Sequence, residues 1–490
     1  MQIADKRTQY SDFINVIKGI ICTHSVQNLI ESFELPLHIL FKEKVIENIQ
    51  GFKDTISKNY YNGQIRYALK SYSSKELLKI IKEQGVGVDV CSENEMELAF
   101  LMGLQSEQVV LNGNAKSNSL IYKAIIKDVL IVADSVYELD VIQRIAKEQS
   151  KNPSVLLRIK GFPAKSETDS CLSTAGVWTK FGMSIQEVYY ILSQLGNYSE
   201  LDICGFHMHI GSQISNIDVY CDFLGRFLTI VESFRRRGIS IKYLDIGGGF
   251  PISYVSQLSW ESFLSGVKLS MSRSSSVLEH MVWDCEYEGF IQSKDGLVYT
   301  ENFFSPLSKY HMLEAIFKAT VVFNGKPRFL RDVIYELGDP ILLIEPGRSI
   351  VGDAGITLAR VNGIKKTYNN DFLLVLEMGS VNYAGSVIHK LYNVWDVMFS
   401  EANETVPGFD SFICGNLCYN GDMISKFKIS FPVRPSRGDI VITYDTGSTE
   451  SHFFASNANL FPIPSRIIMD LDGNICISKQ RQVLEEIVSL

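Results

Sequence analysis

The sequence YLDIGGGFP, residues 243–251, joins an apolar run to three consecutive glycines. The apolar half is typical of a buried strand, and glycines let the backbone approach a ligand or neighbour very closely. If a helix follows, its first N–H groups could hold an anion there. The spacing differs from the G-x-G-x-x-G of dinucleotide-binding folds, so a different anion site is indicated.

Seven further apolar runs alternate with helix-like stretches along the chain. In SKELLKIIKEQG (residues 74–85), apolar residues recur three and four positions apart and a glycine follows. Such alternation predicts parallel strand pairing, and eight units close into a (β/α)8 TIM barrel, an α/β fold. An open doubly wound sheet is the alternative. The eight runs are residues 65–72, 86–92, 109–115, 129–135, 155–160, 204–212, 243–249 and 341–348.

After the barrel the pattern changes to strands without intervening helices, as in DFLLVLEMG and DIVITYDTGS. This change predicts a C-terminal antiparallel β-domain over residues 351–490. We expect residues 41–350 to form the barrel domain and residues 1–40 to form an N-terminal segment that joins the β-domain.

Composition excludes several classes of partner. The net charge is −8, with 47 basic and 55 acidic residues interspersed, so neither nucleic acid nor membrane is expected to bind. The N-terminus lacks the charge and apolar pattern of a secretory signal, which predicts a cytoplasmic protein. The nine cysteines are scattered without a C-x-x-C pair, so we expect neither a disulfide framework nor a metal site.

Barrel enzymes place their chemistry at the C-terminal ends of the strands, and these ends are polar here. Lys70 ends the first run, where desolvation by an apolar strand would lower the pKa of its ammonium and favour a nucleophilic amine. A lysine that only extends from a strand end is the plain alternative. His209 could stack on a flat ligand or bind a metal with His207, and a satisfied core histidine is its plain alternative.

The last strand end carries IEPGR, residues 344–348. A carboxylate at Glu345 could keep a ring nitrogen protonated, and the Arg348 guanidinium beside glycine N–H groups could hold a phosphate. An amine nucleophile, a stacking imidazole, a carboxylate for a ring nitrogen and an anion cradle together describe pyridoxal phosphate. The anion predicted at the glycines of residues 247–249 is therefore the phosphate of this cofactor.

Seven motifs resemble, in order and spacing, those of the ornithine, diaminopimelate and arginine decarboxylases, which share the alanine racemase fold (fold type III). They span residues 35–465, and two of them, HMHIGSQ and EPGRSIV, are most similar to the diaminopimelate branch. The resemblance implies decarboxylation of an amino acid or a derivative, with the Cα carboxylate lost as CO2. The motifs are YALKSYS, GVGVDVCSENEMELA, FHMHIGSQ, LDIGGGFP, EPGRSIV, CGNLCYNGD and GDIVITYDTGS.

The resemblance also implies a role for each matching residue. Lys70 would form the Schiff base with the cofactor, His209 would stack on its ring and Glu345 would pair with the pyridine nitrogen. Cys418 would cross the interface of a homodimer, with active sites shared between subunits, to protonate the product; Glu95 would support the site. The cofactor-binding set is Lys70, Asp89, Arg158, His209, Ser212, Gly247, Gly248, Gly249, Glu345, Gly347 and Arg348.

Departures from the family pattern bear on cofactor and substrate. Thr449 stands where the family has a tyrosine on the cofactor phosphate. Tyr419 follows Cys418, where the family has an acid for the distal amine of the substrate, and Ile388 replaces the arginine for a distal carboxylate. We therefore expect a small amino-acid-like substrate other than plain diaminopimelate or ornithine. The residues expected to contact it are Tyr392, Tyr419 and Asp422.

Residues 252–344 are longer than the family needs between GGGFP and EPGR, so we expect an insertion at about 252–340. It could cap the substrate pocket, or it could be a peripheral or dimer-contact segment.

Three other functions stay open. They are a pyridoxal-phosphate-binding pseudoenzyme or regulator without turnover, a pyridoxal-phosphate-dependent racemase, and a metal-dependent hydrolase built on His207 and His209. Racemases of this fold place an arginine against the ring nitrogen, so Glu345 at that position disfavours a racemase.

Overall fold

The structure is a computed structural model, and it describes residues 19, 26–160, 179–272, 283, 290–293, 296–299, 303–383, 394–399, 407–449 and 455–488. It contains two compact units. The barrel unit comprises Ile46–Pro251 and Leu307–Ile350, and the sheet unit comprises Met1–Val45, Ile252–Pro306 and Val351–Leu490.

Strands and helices are numbered here along the described chain. The helices are α1 (Val26–Phe33), α2 (Lys42–Asn59), α3 (Lys75–Glu83), α4 (Glu93–Leu101), α5 (Asn118–Ile126), α6 (Val136–Gln149), α7 (Ile185–Ser193), α8 (Ile217–Arg235), α9 (Gln257–Ser272), α10 (Tyr310–Lys318), α11 (Leu330–Glu336), α12 (Arg348–Val351) and α13 (Leu484–Val488). The strands up to the end of the barrel are β1 (Leu37–Phe41), β2 (Gly63–Ala68), β3 (Gly87–Val90), β4 (Val109–Leu111), β5 (Leu130–Ala133), β6 (Ser154–Arg158), β7 (Asp202–His207), β8 (Tyr243–Asp245), β9 (Phe290–Ser293), β10 (Gly296–Tyr299), β11 (Thr320–Phe323), β12 (Lys326–Phe329) and β13 (Ile341–Ile344). The remaining strands are β14 (Gly355–Lys366), β15 (Phe372–Leu376), β16 (Trp395–Phe399), β17 (Pro407–Cys414), β18 (Met423–Val433), β19 (Ile440–Tyr444), β20 (Ser465–Met469) and β21 (Ile475–Lys479).

Eight parallel strands form a closed barrel in the order β13-β2-β3-β4-β5-β6-β7-β8. The last strand closes it, because β13 pairs with β2 (Leu342 with Gly63) and with β8 (Ile341 with Tyr243). Each of the eight predicted runs overlaps one of these strands, so the predicted TIM barrel is confirmed and the open sheet is excluded. Side chains from alternating positions fill the barrel interior, as expected for this fold. One such cluster is Val110, Val132, Leu156, Cys204 and Leu343.

A serine is the N-cap residue of five barrel helices, at the end of the turn that follows a strand. The side chain of each serine accepts a hydrogen bond from a backbone N–H in the first turn of the following helix, which satisfies a donor that the helix itself leaves unpaired. These N-caps hold the turns that follow the strand ends, where the functional side chains lie. The capping serines are Ser74, Ser92, Ser117, Ser135 and Ser184.

A buried ion pair ties two of these turns to the barrel. The Lys116 ammonium is fully buried and donates to the carbonyl oxygens of Gly113 and Val132, at 2.7 Å each, and to Glu138 Oε2 at 2.9 Å. The same Glu138 oxygen accepts the N–H of Asp134 at 2.8 Å. The Lys116–Glu138 pair therefore fixes the ends of β4 and β5 to the start of α6.

The sheet unit contains a nine-stranded sheet, with the path β18-β17-β15-β14-β1-β20-β21 and with β19 pairing with β14 and β16. Most pairs are antiparallel, as predicted, but β1 is parallel to β20 and β15 is parallel to β17. The N-terminal strand β1 lies inside the sheet, between β14 and β20. Its alternate side chains, including Leu37 and Ile39, are buried in an apolar core with Ile442 and Ile467.

The segment expected as an insertion in the barrel is divided between the units. Residues 252–306 group with the sheet unit, whereas residues 307–350 belong to the barrel unit. Aromatic packing gives the reason, because Trp260, Phe263 and Phe303 form a buried cluster with Phe427 of β18. The ring centroids of Phe263 and Phe427 are 5.1 Å apart at 88°. Assigning the whole of 252–340 to the barrel therefore differs from the observed packing.

Within the described residues, no helix combines the length and the apolar character that crossing a bilayer requires.

Candidate active site

Lys70 lies at the C-terminal end of β2, in the single 3-10 turn Leu69–Ser71. Desolvation lowers the pKa of Lys70, but the nearby acidic groups Cys91, Asp89 and Glu345 raise it by more, and the net pKa is above the usual value. The predicted lowering of this pKa is therefore wrong. The apolar strand desolvates the amine as expected, yet acidic groups from other strands lie around it and favour the ammonium.

Glu345 follows β13 and is 3% exposed. Its Oε1 accepts a hydrogen bond from Asn112 Nδ2 at 2.9 Å and lies 3.3 Å from His207 Nε2. Burial opposes the charge on Glu345, but the neighbouring His207 holds the pKa of this carboxyl well below its usual range. The site therefore contains a buried, ionised carboxylate at the position predicted for it.

Two further carboxyls lie near Glu345. Asp89 in β3 is fully buried, and neither of its oxygens has a hydrogen-bond partner among the described residues. Asp245 at the end of β8 accepts the N–H of Gly247 at 2.8 Å through Oδ1. Burial and the charge of Glu345 raise the pKa of both well above the usual value. The barrel mouth thus favours one ionised carboxylate and two protonated ones.

His209 presents a neutral ring beside the glycine run. Burial lowers the pKa of His209 to about 4. Its Nδ1 accepts the N–H of Gly248 at 3.0 Å, so the ring proton lies on Nε2. The ring planes of His207 and His209 are within 7° of parallel, with centroids 6.5 Å apart. A flat, uncharged ring held in this way suits stacking on a flat ligand.

The glycine run approaches other backbone closely. A Cβ at Gly247 would lie 2.5 Å from the Met208 carbonyl oxygen, and one at Gly248 would collide with the Glu345 carbonyl oxygen. Gly247 and Gly249 also have φ values of +69° and +92°, which disfavour side chains. The N–H groups of Gly247 and Gly248 bind Asp245 and His209 inside the protein. The N–H groups of these two glycines are therefore already engaged, and the glycines contribute to the site by their close backbone packing.

Arg348 and Ser212 lie together at the start of α12. Arg348 Nε is 3.3 Å from Ser212 Oγ, and both residues are half-buried. Gly347 packs against the turn that carries Lys70, because a Cβ there would collide with Ser71 Oγ. The EPGR turn thus brings a guanidinium, a hydroxyl and the Lys70 turn to the same end of the barrel.

Arg158 ends β6 and is buried. Its Nη1 lies 3.3 Å from Asp134 Oδ1, and its guanidinium stands 4.5 Å over the ring of Phe181. Glu95, expected in a supporting role, accepts the N–H of Cys91 at 2.7 Å. Both residues are thus held by neighbours at the same barrel end as Lys70.

The predicted substrate-contacting residues belong to the sheet unit. Cys418 is exposed and its N–H donates to Asn459 Oδ1 at 3.1 Å, and Tyr419 is 72% exposed. Tyr392, like Ile388, lies outside the described residues.

Asp422 is 3% exposed, and its two carboxylate oxygens accept the N–H groups of Ser380, at 2.6 Å, and Leu417, at 2.8 Å. Its contact with substrate stays a prediction, one that these hydrogen bonds disfavour.

Sequence reasoning assigned no role to Asn112 or Asp245, although both lie at strand ends of the barrel. Asn112 was visible as one polar residue at the end of β4, but its partners come from other strands. His207, Asp245 and Glu345 also place one possible ligand atom each within 4.8 Å of one another. Asn112 donates a hydrogen bond to Glu345 Oε1, so this carboxylate oxygen has a protein partner without a metal ion.

Comparisons with known proteins identify similar sequences and structures. The family model "Pyridoxal-dependent decarboxylase, pyridoxal binding domain" matches residues 43–280. A diaminopimelate decarboxylase of Aquifex aeolicus is 24% identical over 484 residues, which cover 98% of this chain and 96% of the relative. Residues 43–280 therefore match the pyridoxal-binding domain of the pyridoxal-dependent decarboxylases. The predicted resemblance to that family, the cofactor and the enzyme class, a carboxy-lyase acting on an amino acid, are confirmed.

Solved structures show the same fold at low identity. Diaminopimelate decarboxylase from M. jannaschii in co-complex with L-lysine has a TM-score of 0.73 at 20% identity, covering 94% of this chain and 93% of that chain. Lysine/ornithine decarboxylase from Vibrio vulnificus complexed with cadaverine has a TM-score of 0.65 at 19% identity, covering 91% and 98%.

The described residues fit pyridoxal phosphate. The buried Asp89 has two oxygens without partners, and the close-packed glycines leave backbone where side chains would intrude. An ionised Glu345 suits a protonated ring nitrogen, and Arg348 with Ser212 suits a phosphate.

Proposed function

We propose that this protein decarboxylates an amino acid or amino-acid derivative at Cα, with Lys70 as the attachment point of pyridoxal phosphate. The observation that carries the proposal is the ionised, buried Glu345, whose charge also acts on Lys70. Pyridoxal phosphate supplies an electron sink for the electron pair that the departing carboxylate leaves behind. A carboxylate that keeps the ring nitrogen protonated strengthens that sink.

The other residues bind and orient. His209, neutral because burial holds its pKa at about 4, offers its flat face to the cofactor ring. Arg348 and Ser212 receive the phosphate, and the closely packed glycine run leaves room for it. Arg158, held by Asp134, contributes a fixed positive charge at the same barrel end.

The substrate is proposed to be neither plain diaminopimelate nor ornithine. Where the family has an acid for the distal amine of the substrate, this chain has the exposed Tyr419. Where the family has an arginine for a distal carboxylate, this chain has Ile388. A phenol and an aliphatic side chain suit a distal group that carries no full charge. Tyr392 and Tyr419 are the proposed contacts with that group.

Cys418 is proposed to return a proton to Cα. Its thiol is exposed on a loop of the sheet unit, which makes it available to a second subunit. We therefore propose a two-fold homodimer in which each active site combines residues of two chains.

The test is CO2 release from the purified protein with pyridoxal phosphate and a panel of amino acids. The panel contains diaminopimelate, ornithine, lysine, arginine and derivatives with uncharged distal groups, and Lys70→Ala is the control. We expect CO2 release from a substrate whose distal group is uncharged, and no CO2 release with Lys70→Ala. A protein that binds the cofactor but releases no CO2 would be a pseudoenzyme, and inversion at Cα without CO2 would make it a racemase.

A further inference from the structure

Asn112 is a buried polar residue whose side-chain amide makes hydrogen bonds through both its nitrogen and its oxygen. Its Nδ2 donates to Glu345 Oε1 at 2.9 Å and lies 3.2 Å from His207 Nε2. Its Oδ1 accepts the N–H of Gly113 at 3.0 Å, and its own N–H donates to Val90 at 2.8 Å. Because Oδ1 takes the Gly113 N–H, the amide can only present Nδ2 to the carboxylate.

These contacts cross the barrel. Asn112 follows β4, Glu345 follows β13 and His207 ends β7, and the barrel order places β2 and β3 between β13 and β4. No neighbouring-strand pairing brings these residues together, so the side chains themselves make the connection. Asn112 is 5% exposed and Glu345 is 3% exposed, which makes the hydrogen bond between them a buried one.

We propose that Asn112 is a positioning residue that holds Glu345 Oε1, so that Oε2 is presented to the ring nitrogen of pyridoxal phosphate. Oε2 lies 3.6 Å from His209 Nδ1, and that nitrogen already accepts the N–H of Gly248. It therefore does not donate to Oε2, which keeps this oxygen for the cofactor. The inference rests on the proposed function, because it needs Glu345 to face the ring nitrogen.

The hydrogen bond also has an electronic effect. A donor to a carboxylate favours its ionised form. Without Asn112, the proton shared by Glu345 and the ring nitrogen would move towards the carboxylate, and rotation about the end of the Glu345 side chain would no longer be opposed. Both changes weaken the protonated state of the ring nitrogen on which the decarboxylation depends.

The test combines Asn112→Ala with a matched control, Asn118→Ala, which changes an exposed asparagine in the same β4-to-α5 segment. Each protein is loaded with pyridoxal phosphate that carries an isotopic label at the ring nitrogen, and the chemical shift of that nitrogen reports its protonation. We expect Asn112→Ala to shift this signal towards the unprotonated value and to lower kcat about ten- to hundredfold. Asn118→Ala should match the wild type in both measurements.

A double-mutant cycle with Glu345→Gln tests whether Asn112 acts through Glu345. In the Glu345→Gln background, Asn112→Ala should have no further effect on the nitrogen signal. An unchanged signal in Asn112→Ala, or a full further effect without the carboxylate, overturns the inference. If Asn112→Ala does not fold, the near-isosteric Asn112→Leu keeps most of the volume, removes the donor and must give the same shift. A wild-type protein that binds cofactor without decarboxylating any substrate contradicts the proposed function, whereas the nitrogen signal still decides the role of Asn112.

Discussion

Replacing Lys116 by methionine should destabilise the barrel strongly. The substitution keeps an unbranched apolar stem but removes an ammonium that is fully buried and makes three hydrogen bonds. Glu138, whose side chain is only 9% exposed, would then keep a buried charge with the N–H of Asp134 as its remaining donor. Breaking one half of a buried ion pair costs about 3–5 kcal/mol.

The matched control is Lys123→Met. Lys123 pairs with Glu93 and Glu97 at 2.6 and 3.1 Å, but these side chains are 37–46% exposed. An exposed pair of this kind contributes about 0–1 kcal/mol. The two lysines therefore have similar contact distances and differ chiefly in burial.

Equilibrium urea unfolding of the wild type, Lys116→Met and Lys123→Met is followed by circular dichroism. The shift of the unfolding midpoint gives the loss of stability in each variant. The double variant Lys116→Met/Glu138→Gln should recover more than about 1 kcal/mol, because glutamine keeps an oxygen for the Asp134 N–H and leaves no buried charge. A loss for Lys116→Met no larger than that for Lys123→Met would refute the reasoning.

Three further outcomes are expected. Lys70→Ala should bind pyridoxal phosphate without the visible absorbance of the attached cofactor and should lose turnover; a borohydride-reducible linkage at full stoichiometry would contradict the assignment. Mixing the inactive variants Lys70→Ala and Cys418→Ala should restore about a quarter of wild-type activity, since about half of randomly exchanged dimers are mixed and each has one intact site of two; no recovery despite demonstrated exchange would argue against a shared site. Stability should fall between pH 6.5 and about 4, because the unfolded chain protonates His209 there while the folded chain holds the pKa of this imidazole at about 4. His209→Gln should remove up to about 3 kcal/mol of this pH dependence, measured by denaturant unfolding across that range.

The barrel could be predicted from the sequence because parallel strands buried on both faces give continuous apolar runs. The grouping of the polar residues at the ends of these runs could also be predicted, because the barrel brings the C-terminal ends of all its strands to one side. Lys70, His209 and Glu345 were selected as candidates in this way, and the resemblance to the family implied their roles.

Interactions between side chains of different strands could not be predicted. The pKa of Lys70 depends on Asp89 and Glu345, which come from other strands, so its own apolar strand gave the wrong direction. Asn112 was one polar strand end among many until the barrel order placed it opposite Glu345. Asp422 is a carboxylate within a functional motif, but one of its two backbone partners, Ser380, lies far away in the chain.

The position of β1 within the sheet has a consequence for how the protein is made. Leu37 pairs with Leu358 of β14 and Ser465 of β20, so the strand LHILF leaves the ribosome before the whole barrel and waits for both partners. During synthesis it is an apolar segment with two unpaired edges, which favours association with other chains. Truncation before β20 should therefore yield insoluble protein even though every barrel residue is present, and nascent chains should depend on chaperones until the last strands emerge.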